Sequence, residues 1–178
     1  MEMSFTLGSM YDKIIDMKLL EDCLRLAKLT VFELKRKNLK IAFSESITGG
    51  LLSGLLTSIP DASTVLSESF TVYSNDAKIK ILKCNLETIK QYTEYSKETI
   101  IEMLQGLSKI SQAEVLMAIS GVAGPSKPNN FEIGEVFIGI RYLGKDYLYR
   151  KNFSGDRNFI RLKAIKFCYE KIIEVINQ

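Results

Sequence analysis

Hydrophobic and polar positions change period several times along the first half of the chain. From residue 11 to residue 37, apolar side chains recur at every third or fourth position, which predicts an amphipathic helix. The short apolar run 38–43 predicts a buried strand, and 65–73 predicts a second strand. Small and apolar residues over 49–58 predict a helix that ends before Pro60. The predicted order is therefore helix, strand, helix, strand.

The second half of the chain continues this alternation. Its predicted helices are 75–83, 85–92, a helix capped by Ser96 that runs to about Ser111, and 156–176. Its predicted strands are 114–120, 133–142 and 146–153, of which the last two form a hairpin that turns near Gly144. Continuous apolar strands that alternate with helices predict the α/β class. We expect a three-layer α/β/α sandwich with a mixed, mainly parallel sheet in a single domain.

The length and the net charge of the chain limit the number of domains and the kinds of partner that we expect. The 178 residues suit one domain, which we expect to span 11–178 after an unstructured tail or tag remnant over 1–10. The net charge of +3 comes from well-mixed acids and bases, so we expect no nucleic-acid or membrane partner and favour a small-molecule ligand. No apolar run reaches about 18 residues and no secretion signal is visible, which favours a cytoplasmic location.

The chain has no histidine and three cysteines, and this limits its chemistry. The cysteines are widely spaced without a CxxC pair, so we expect reduced thiols and no metal site. No GxGxxG fingerprint is present, and no cofactor is expected. Without imidazole a Ser-His-Asp triad is impossible, so a serine nucleophile needs a lysine, a tyrosine or a carboxylate as its base.

Three loops with unusual polar residues follow predicted strands, at 44–50, 73–78 and 120–125. If the three strands are parallel neighbours, these loops converge on one pocket at the carboxyl edge of the sheet. Ser46 follows a strand at a bend where backbone N–H groups can hold an anion. Lys78 lies in a first helical turn, where the helix dipole disfavours a cation, which points to a functional role. Taken singly, each loop is equally compatible with helix caps and solvated side chains.

In order and spacing, these loops resemble the motifs of the CinA C-terminal domain, a family that includes the nicotinamide-nucleotide amidohydrolase PncC. The family patterns A-E-S-C-T-G-G, V-x-Y-S-N-E-x-K and I-[ST]-G-[IV]-A-G-P correspond to residues 44–50, 73–78 and 119–125. The family pattern F-x-G-D-R corresponds to residues 153–157. The resemblance extends over about residues 15–177, and several motifs in order are far more specific than any one alone.

The resemblance implies an enzyme that hydrolyses the carboxamide of nicotinamide mononucleotide to nicotinate mononucleotide and ammonia. It implies Ser46 as the nucleophile, with Lys78 and Tyr73 taking its proton and passing it to the leaving ammonia. A lysine acts as a base only if its pKa falls towards neutrality, and we expect the helix N-terminus and Arg157 to lower it. N–H groups of the 47–50 turn would stabilise the oxyanion. Family members are often homo-oligomers, which is the expectation for this chain.

Further residues of the same loops are candidates for substrate binding. They are Glu45, Thr48, Gly49, Gly50, Asn75, Ser120, Gly121, Ala123 and Gly124. Arg157 or Arg161 would hold the substrate phosphate through charge-assisted hydrogen bonds, although a solvated first helical turn explains either arginine equally well.

The chain departs from the family pattern at several positions. Glu68-Ser69 replaces Gly-Gly, residues 93–97 replace Gly-Ala-Val-Ser-Glu, and Glu135 replaces a threonine. A carboxylate at Glu135 beside an anionic substrate would need a cationic partner. These departures keep two alternatives open, namely a catalytically weak nucleotide-binding module and a hydrolase of a different amide or of a phosphate ester.

Overall fold

The structure is a computed structural model that describes residues 16–127 and 131–178, and its centre is a five-stranded sheet. The strands are β1 (Ile41–Glu45), β2 (Leu66–Thr71), β3 (Val115–Gly121), β4 (Glu135–Tyr142) and β5 (Lys145–Asn152). Their spatial order is β2-β1-β3-β4-β5. β1 pairs in parallel with both β2 and β3, whereas β4 is antiparallel to both β3 and β5. Four strands therefore run in one direction, which confirms the mixed, mainly parallel sheet.

Helices cover both faces of the sheet. They are α1 (Met17–Arg36), α2 (Leu51–Thr57), α3 (Asn75–Leu82), α4 (Leu86–Tyr92), α5 (Lys97–Ile110) and α6 (Arg157–Ile176), together with a short 3-10 helix at Ala62–Thr64. α1, α2 and α6 contribute to one hydrophobic core, and α3, α4 and α5 contribute to the other. The predicted three-layer α/β/α sandwich in a single domain is confirmed.

The central strand β3 shows why the sheet needs two helical layers. All its residues are buried, so neither face of the strand meets solvent. Val115, Met117 and Ile119 face the core that contains α1, α2 and α6. Leu116 and Ala118 face the core that contains α3, α4 and α5. Successive side chains of a strand point to opposite faces, so its continuous apolar run requires cover on both sides.

Helix α3, which carries Lys78, approaches α5 closely at a glycine. A Cβ atom added to Gly106 would lie 2.0 Å from the backbone oxygen of Leu82. No side chain fits into that gap, so glycine permits the close packing of these two helices. This contact fixes α3 on the second face of the sheet and so helps to set the position of Lys78.

Most predicted elements agree with the observed ones to within one or two residues. Strand β1 is an exception, because it was predicted over 38–43 but spans Ile41–Glu45. Its last two residues, Ser44 and Glu45, are polar but fully buried. The predicted unstructured segment over 1–10 and the predicted start of the first helix at residue 11 lie outside the described residues. In the part of the chain that the structure describes, no helix is long and apolar enough to cross a membrane.

Candidate active site

The loops after β1, β2 and β3 meet at one cavity of about 320 Å³ at the carboxyl edge of the sheet. The candidates from the sequence that line it are Ser46, Tyr73, Asn75, Lys78, Gly121, Ala123, Gly124 and Arg157. Six other candidates, Glu45, Thr48, Gly49, Gly50, Ser120 and Arg161, lie outside its described lining. The convergence expected from parallel neighbouring strands is therefore observed, and it divides the candidates into a lining set and a supporting set.

Ser46 and Lys78 are in direct contact inside the protein. Lys78 Nζ lies 3.1 Å from Ser46 Oγ, and the two residues are 1 % and 5 % exposed. Within the described residues, Ser46 is the single hydrogen-bond partner of Lys78 Nζ. Burial lowers the pKa of Lys78 from its ordinary value, and the nearby Glu94 carboxylate partly opposes this shift. A lysine in this environment favours its neutral form, which is the form that accepts a proton.

The backbone places the two side chains from different elements. Ser46 directly follows β1, and its N–H donates to the backbone oxygen of Ile119 on β3 at 3.0 Å. Lys78 lies in the first turn of α3, where the Ser74 hydroxyl caps the helix by accepting from the N–H of Ala77 at 3.1 Å. The central strand pair and a capped helix therefore hold the hydroxyl and the amine.

Tyr73 and Arg157 lie together at the exposed mouth of the cavity. One guanidinium nitrogen of Arg157 donates to the Tyr73 hydroxyl at 2.6 Å, and another donates to the backbone oxygen of Gly124 at 2.6 Å. The sequence predicted that Arg157 lowers the pKa of Lys78, but the main cause of that shift is burial. Arg157 instead connects the loop after β2 to the loop after β3.

The carboxylate of Glu45 points into the protein, away from the cavity lining. It is fully buried and accepts hydrogen bonds from the N–H groups of Gly50, Leu52 and Ser53 at 3.1, 3.0 and 2.9 Å. The Ser69 hydroxyl donates to it at 3.3 Å. A carboxylate at a helix N-terminus satisfies N–H groups that have no partner within the helix. Glu45 therefore caps α2 rather than reaching a ligand, although the sequence made it a substrate-binding candidate.

The turn after Ser46 offers fewer free N–H groups than the sequence suggested. The Gly49 N–H donates to the Ser46 backbone oxygen at 3.0 Å, and the Gly50 N–H donates to Glu45. Gly50 has a φ of 88°, a left-handed conformation that glycine adopts without strain. Among the described residues, the N–H groups of Ile47 and Thr48 find no acceptor. Ile47 also lines the cavity, whereas Thr48 does not.

Arg161 donates hydrogen bonds to this turn from α6, which lies in the helical layer opposite to the one that carries Lys78. From α6 it donates to the backbone oxygen of Ile47 at 3.2 Å and to that of Thr48 at 2.6 Å. Burial, and secondarily the charge of Arg157, lower the pKa of its guanidinium. Two of its guanidinium nitrogens donate to the backbone and Arg161 lies outside the described cavity lining, so Arg157 is the arginine that lines the cavity.

Comparison with known proteins agrees with this geometry. Residues 24–176 match the family model described as the CinA C-terminal domain. The chain belongs to the CinA C-terminal domain family. A CinA-like protein from Petrotoga mobilis is 38% identical over 154 residues, which are 85% of this chain and 38% of that protein. A putative competence-damage inducible protein from Clostridium botulinum is 43% identical over 133 residues, or 72% of this chain and 32% of that protein.

Solved structures of the CinA superfamily share the fold. One from Enterobacter cloacae is 30% identical with a TM-score of 0.82, and the match covers 86% of this chain and 92% of that one. The chain spans about a third of the length of the curated CinA relatives that it matches.

In this CinA domain, the departure at Glu135 does not place a free charge in the cavity. Glu135 is 4 % exposed and outside the cavity lining, and its carboxylate forms a salt bridge with Arg150 from β5. The same carboxylate accepts from the Glu132 N–H at 3.3 Å. The cationic partner that the sequence required is therefore present, and it comes from the neighbouring strand.

Several lining residues of the CinA cavity were missing from the sequence candidates. They are Ile47, Ser74, Glu94, Tyr95, Val122 and Ser126. The buried candidate Ser120 connects to this set, because its hydroxyl donates to the backbone oxygen of Glu94 at 2.7 Å. The departure from the family pattern at 93–97 was the signal that could have identified Glu94 and Tyr95. In the described part of the chain, no group of three or more His, Cys, Asp or Glu residues could hold a metal ion.

Proposed function

We propose that this CinA domain is an amidohydrolase that converts nicotinamide mononucleotide to nicotinate mononucleotide and ammonia. The observation that carries the proposal is the 3.1 Å contact between two buried groups, Lys78 Nζ and Ser46 Oγ. A hydroxyl becomes a good nucleophile when a neutral amine within hydrogen-bonding distance accepts its proton. Burial of Lys78 favours that neutral form, since a charged amine loses hydration in a buried site.

In the first step, Ser46 Oγ attacks the carboxamide carbon and its proton moves to Lys78 Nζ. The carbonyl oxygen gains a negative charge, and the Ile47 N–H, which lies in a residue that lines the cavity, is our candidate for stabilising it. When the carbon–nitrogen bond breaks, the Lys78 ammonium returns the proton to the departing ammonia. A water molecule then hydrolyses the remaining ester, again with Lys78 as the base, which releases the carboxylate and regenerates Ser46.

Tyr73 and Arg157 complete the proposed machinery at the mouth of the cavity. The Tyr73 hydroxyl is our candidate for relaying a proton between Lys78 and the leaving ammonia. Arg157 orients that hydroxyl through its 2.6 Å hydrogen bond. Its exposed guanidinium is also the lining group best suited to a phosphate, because arginine forms charge-assisted hydrogen bonds with phosphate oxygens.

The direct test is ammonia release from nicotinamide mononucleotide. We expect Ser46→Ala to reduce the rate by about 10³-fold or more. We expect Lys78→Met to reduce it by about 10²–10⁴-fold, the usual contribution of a general base. Lys80→Met, which removes an exposed lysine from the same helix, is the matched control and should retain activity. If wild type and Ser46→Ala release ammonia at the same rate, or neither does, the proposal fails.

One observation favours a second candidate, a nucleotide-binding module with little or no turnover. The N–H groups of Gly49 and Gly50 are already bonded, which leaves fewer donors for an oxyanion than the turn could offer. Calorimetry distinguishes this candidate, because it predicts binding of nicotinamide mononucleotide without ammonia release. A panel of other amides tests whether the same hydroxyl and amine act on a different substrate.

A further inference from the structure

Glu94 places a carboxylate in the wall of the candidate active site. The residue follows α4 in a segment that several hydrogen bonds fix to the body of the protein. Its backbone oxygen accepts from the buried Ser120 hydroxyl at 2.7 Å. The preceding backbone oxygen, of Thr93, accepts from the Ser96 and Thr99 hydroxyls at 3.0 and 2.7 Å. The position of Glu94 beside the cavity is therefore set by the fold and not by a free loop.

No cation in the described part of the cavity pairs with this carboxylate. Three charged side chains line the described part of the cavity, Lys78, Arg157 and Glu94. Within residues 16–127 and 131–178, no salt bridge involves Glu94. Lys78 Nζ donates to Ser46, and Arg157 donates to Tyr73 and Gly124. A hydrogen bond with the neighbouring Tyr95 side chain is its one side-chain contact of this kind in the described residues, and it brings no positive charge. Glu94 is thus a half-buried acid without a cationic partner.

A carboxylate at this place opposes the chemistry of Lys78. Its negative charge favours the ammonium form of the lysine, whereas the proposed base must be neutral. An acid that hinders the base and has no cationic partner is best explained by an interaction with a cationic ligand.

The ligand group that suits an unpaired carboxylate is a cation. In nicotinamide mononucleotide the carboxamide is attached to a pyridinium ring, which carries a permanent positive charge next to the reacting carbon. Resting on the proposed function, we infer that Glu94 is a specificity-determining residue that selects amides borne on a cationic ring. Complementary charge in a partly dehydrated pocket favours the matching ligand and disfavours neutral rings of the same shape.

Binding measurements on the Ser46→Ala protein test this inference without turnover. The two probes are nicotinamide mononucleotide and its dihydro form, which keeps the carboxamide and the phosphate but has a neutral ring. We expect the cationic form to bind about three- to tenfold more tightly than the neutral form. This is the usual contribution of a partly solvated charge pair to affinity. Glu94→Gln, added to Ser46→Ala, should remove this preference, because it should lower the affinity for the cationic ligand and leave the affinity for the neutral ligand unchanged. Glu98→Gln, which removes a nearby acid outside the cavity lining, is the control and should keep the preference.

Three results would overturn the inference. One is equal binding of the two ligands by Ser46→Ala, a result that does not depend on whether the Glu94 variant folds. Another is an equal loss of affinity for both ligands in the Glu94→Gln variant. That result would mean that Glu94 contacts the carboxamide, which the two ligands share. A loss of the preference in the Glu98 control would be the third. If the wild type releases ammonia while any of these holds, the inference about Glu94 alone fails. If there is no release and no binding of either ligand, the proposed function fails with it.

Discussion

The guanidinium of Arg161 donates a hydrogen bond of 2.6 Å to the backbone oxygen of Thr48. A second bond reaches the backbone oxygen of Ile47, next to the proposed nucleophile. Arg161 belongs to α6 in one helical layer, whereas Lys78 belongs to α3 in the other. The turn that carries Ser46 is therefore held from the side opposite to its proposed base.

Arg161→Met should lower kcat far more than it raises KM for nicotinamide mononucleotide. Loss of both backbone hydrogen bonds would let the Ser46 turn shift, and a misplacement of about 1 Å can cost about 10²-fold in rate. Arg157→Met is the informative comparison, because a residue that binds the phosphate should mainly raise KM. Steady-state kinetics of the two variants checks this. A rise in KM with unchanged kcat for Arg161→Met would instead make Arg161 a substrate ligand.

The pH dependence of the reaction should report the ionisation of Lys78. Because the neutral amine is the base, kcat/KM should rise with pH along a limb whose pKa lies below the ordinary 10.5 of lysine. The titratable and charged groups around this amine are Glu94, Cys84, Tyr73, Tyr95 and Arg157. Burial raises the pKa of the Cys84 thiol to about 11 and that of Tyr95 to about 12, so neither should titrate within the limb.

Glu94→Gln should move this limb to lower pH, since the Glu94 carboxylate raises the pKa of Lys78. Initial rates of ammonia release from about pH 6 to 10 measure the limb, and Glu98→Gln serves as the control. A limb that stays in place when the Glu94 charge is removed would contradict Lys78 as the titrating base.

Lys78→Met should stabilise the protein while it removes activity. Burying an amine carries a dehydration penalty that an apolar side chain of similar length avoids, so we expect a gain of about 1–3 kcal/mol at neutral pH. Between the lowered folded pKa and 10.5 the unfolded chain binds more protons than the folded one, so wild-type stability rises with pH. The advantage of the variant should therefore shrink as pH approaches 10.5. Urea denaturation at several pH values measures it, and a constant difference would argue against an ionisable Lys78.

The salt bridge between Glu135 and Arg150 should contribute to the stability of the protein mainly because the Glu135 carboxylate is buried. The Glu135 side chain is 6% exposed and that of Arg150 is 70% exposed. Arg150→Met leaves a buried carboxylate without its cation and should cost about 1–3 kcal/mol. The double variant with Glu135→Gln should recover about half of that loss or more. Lys127→Met breaks an exposed pair with Glu132 and should change stability by less than about 0.5 kcal/mol. Equal effects of the two single arginine and lysine changes would contradict this assignment.

The fold was predictable because the buried strands are apolar without interruption and the helices carry clear caps. Ser96, for example, was identified as a cap and does accept from the Thr99 N–H at 3.1 Å. The proximity of Ser46 and Lys78 was also expected from the sequence, since each lies shortly after a strand and the two strands were expected to be parallel neighbours. These features depend on local pattern and on strand order, which short stretches of sequence encode.

Partners far apart in the chain were not predictable in the same way. Glu45 and Arg161 were candidates for substrate contact because charged residues near a motif usually face solvent or ligand. The structure buries Glu45 fully and Arg161 in part, and each side chain bonds mainly to backbone groups of the same turn or helix end. Glu94 was missed because it follows a helix, whereas the search for ligand groups followed strand ends. Only the packed arrangement of layers reveals such pairings.

The grip on the Ser46 turn from both sides of the sheet has a practical consequence. The proposed turnover requires that α3 and α6 are docked simultaneously, so ammonia release would report complete assembly of the fold. A circularly permuted or split form that reconstitutes the sheet but leaves α6 detached should keep much of its secondary structure. It should nevertheless release no ammonia. Addition of α6 as a separate peptide should then restore ammonia release.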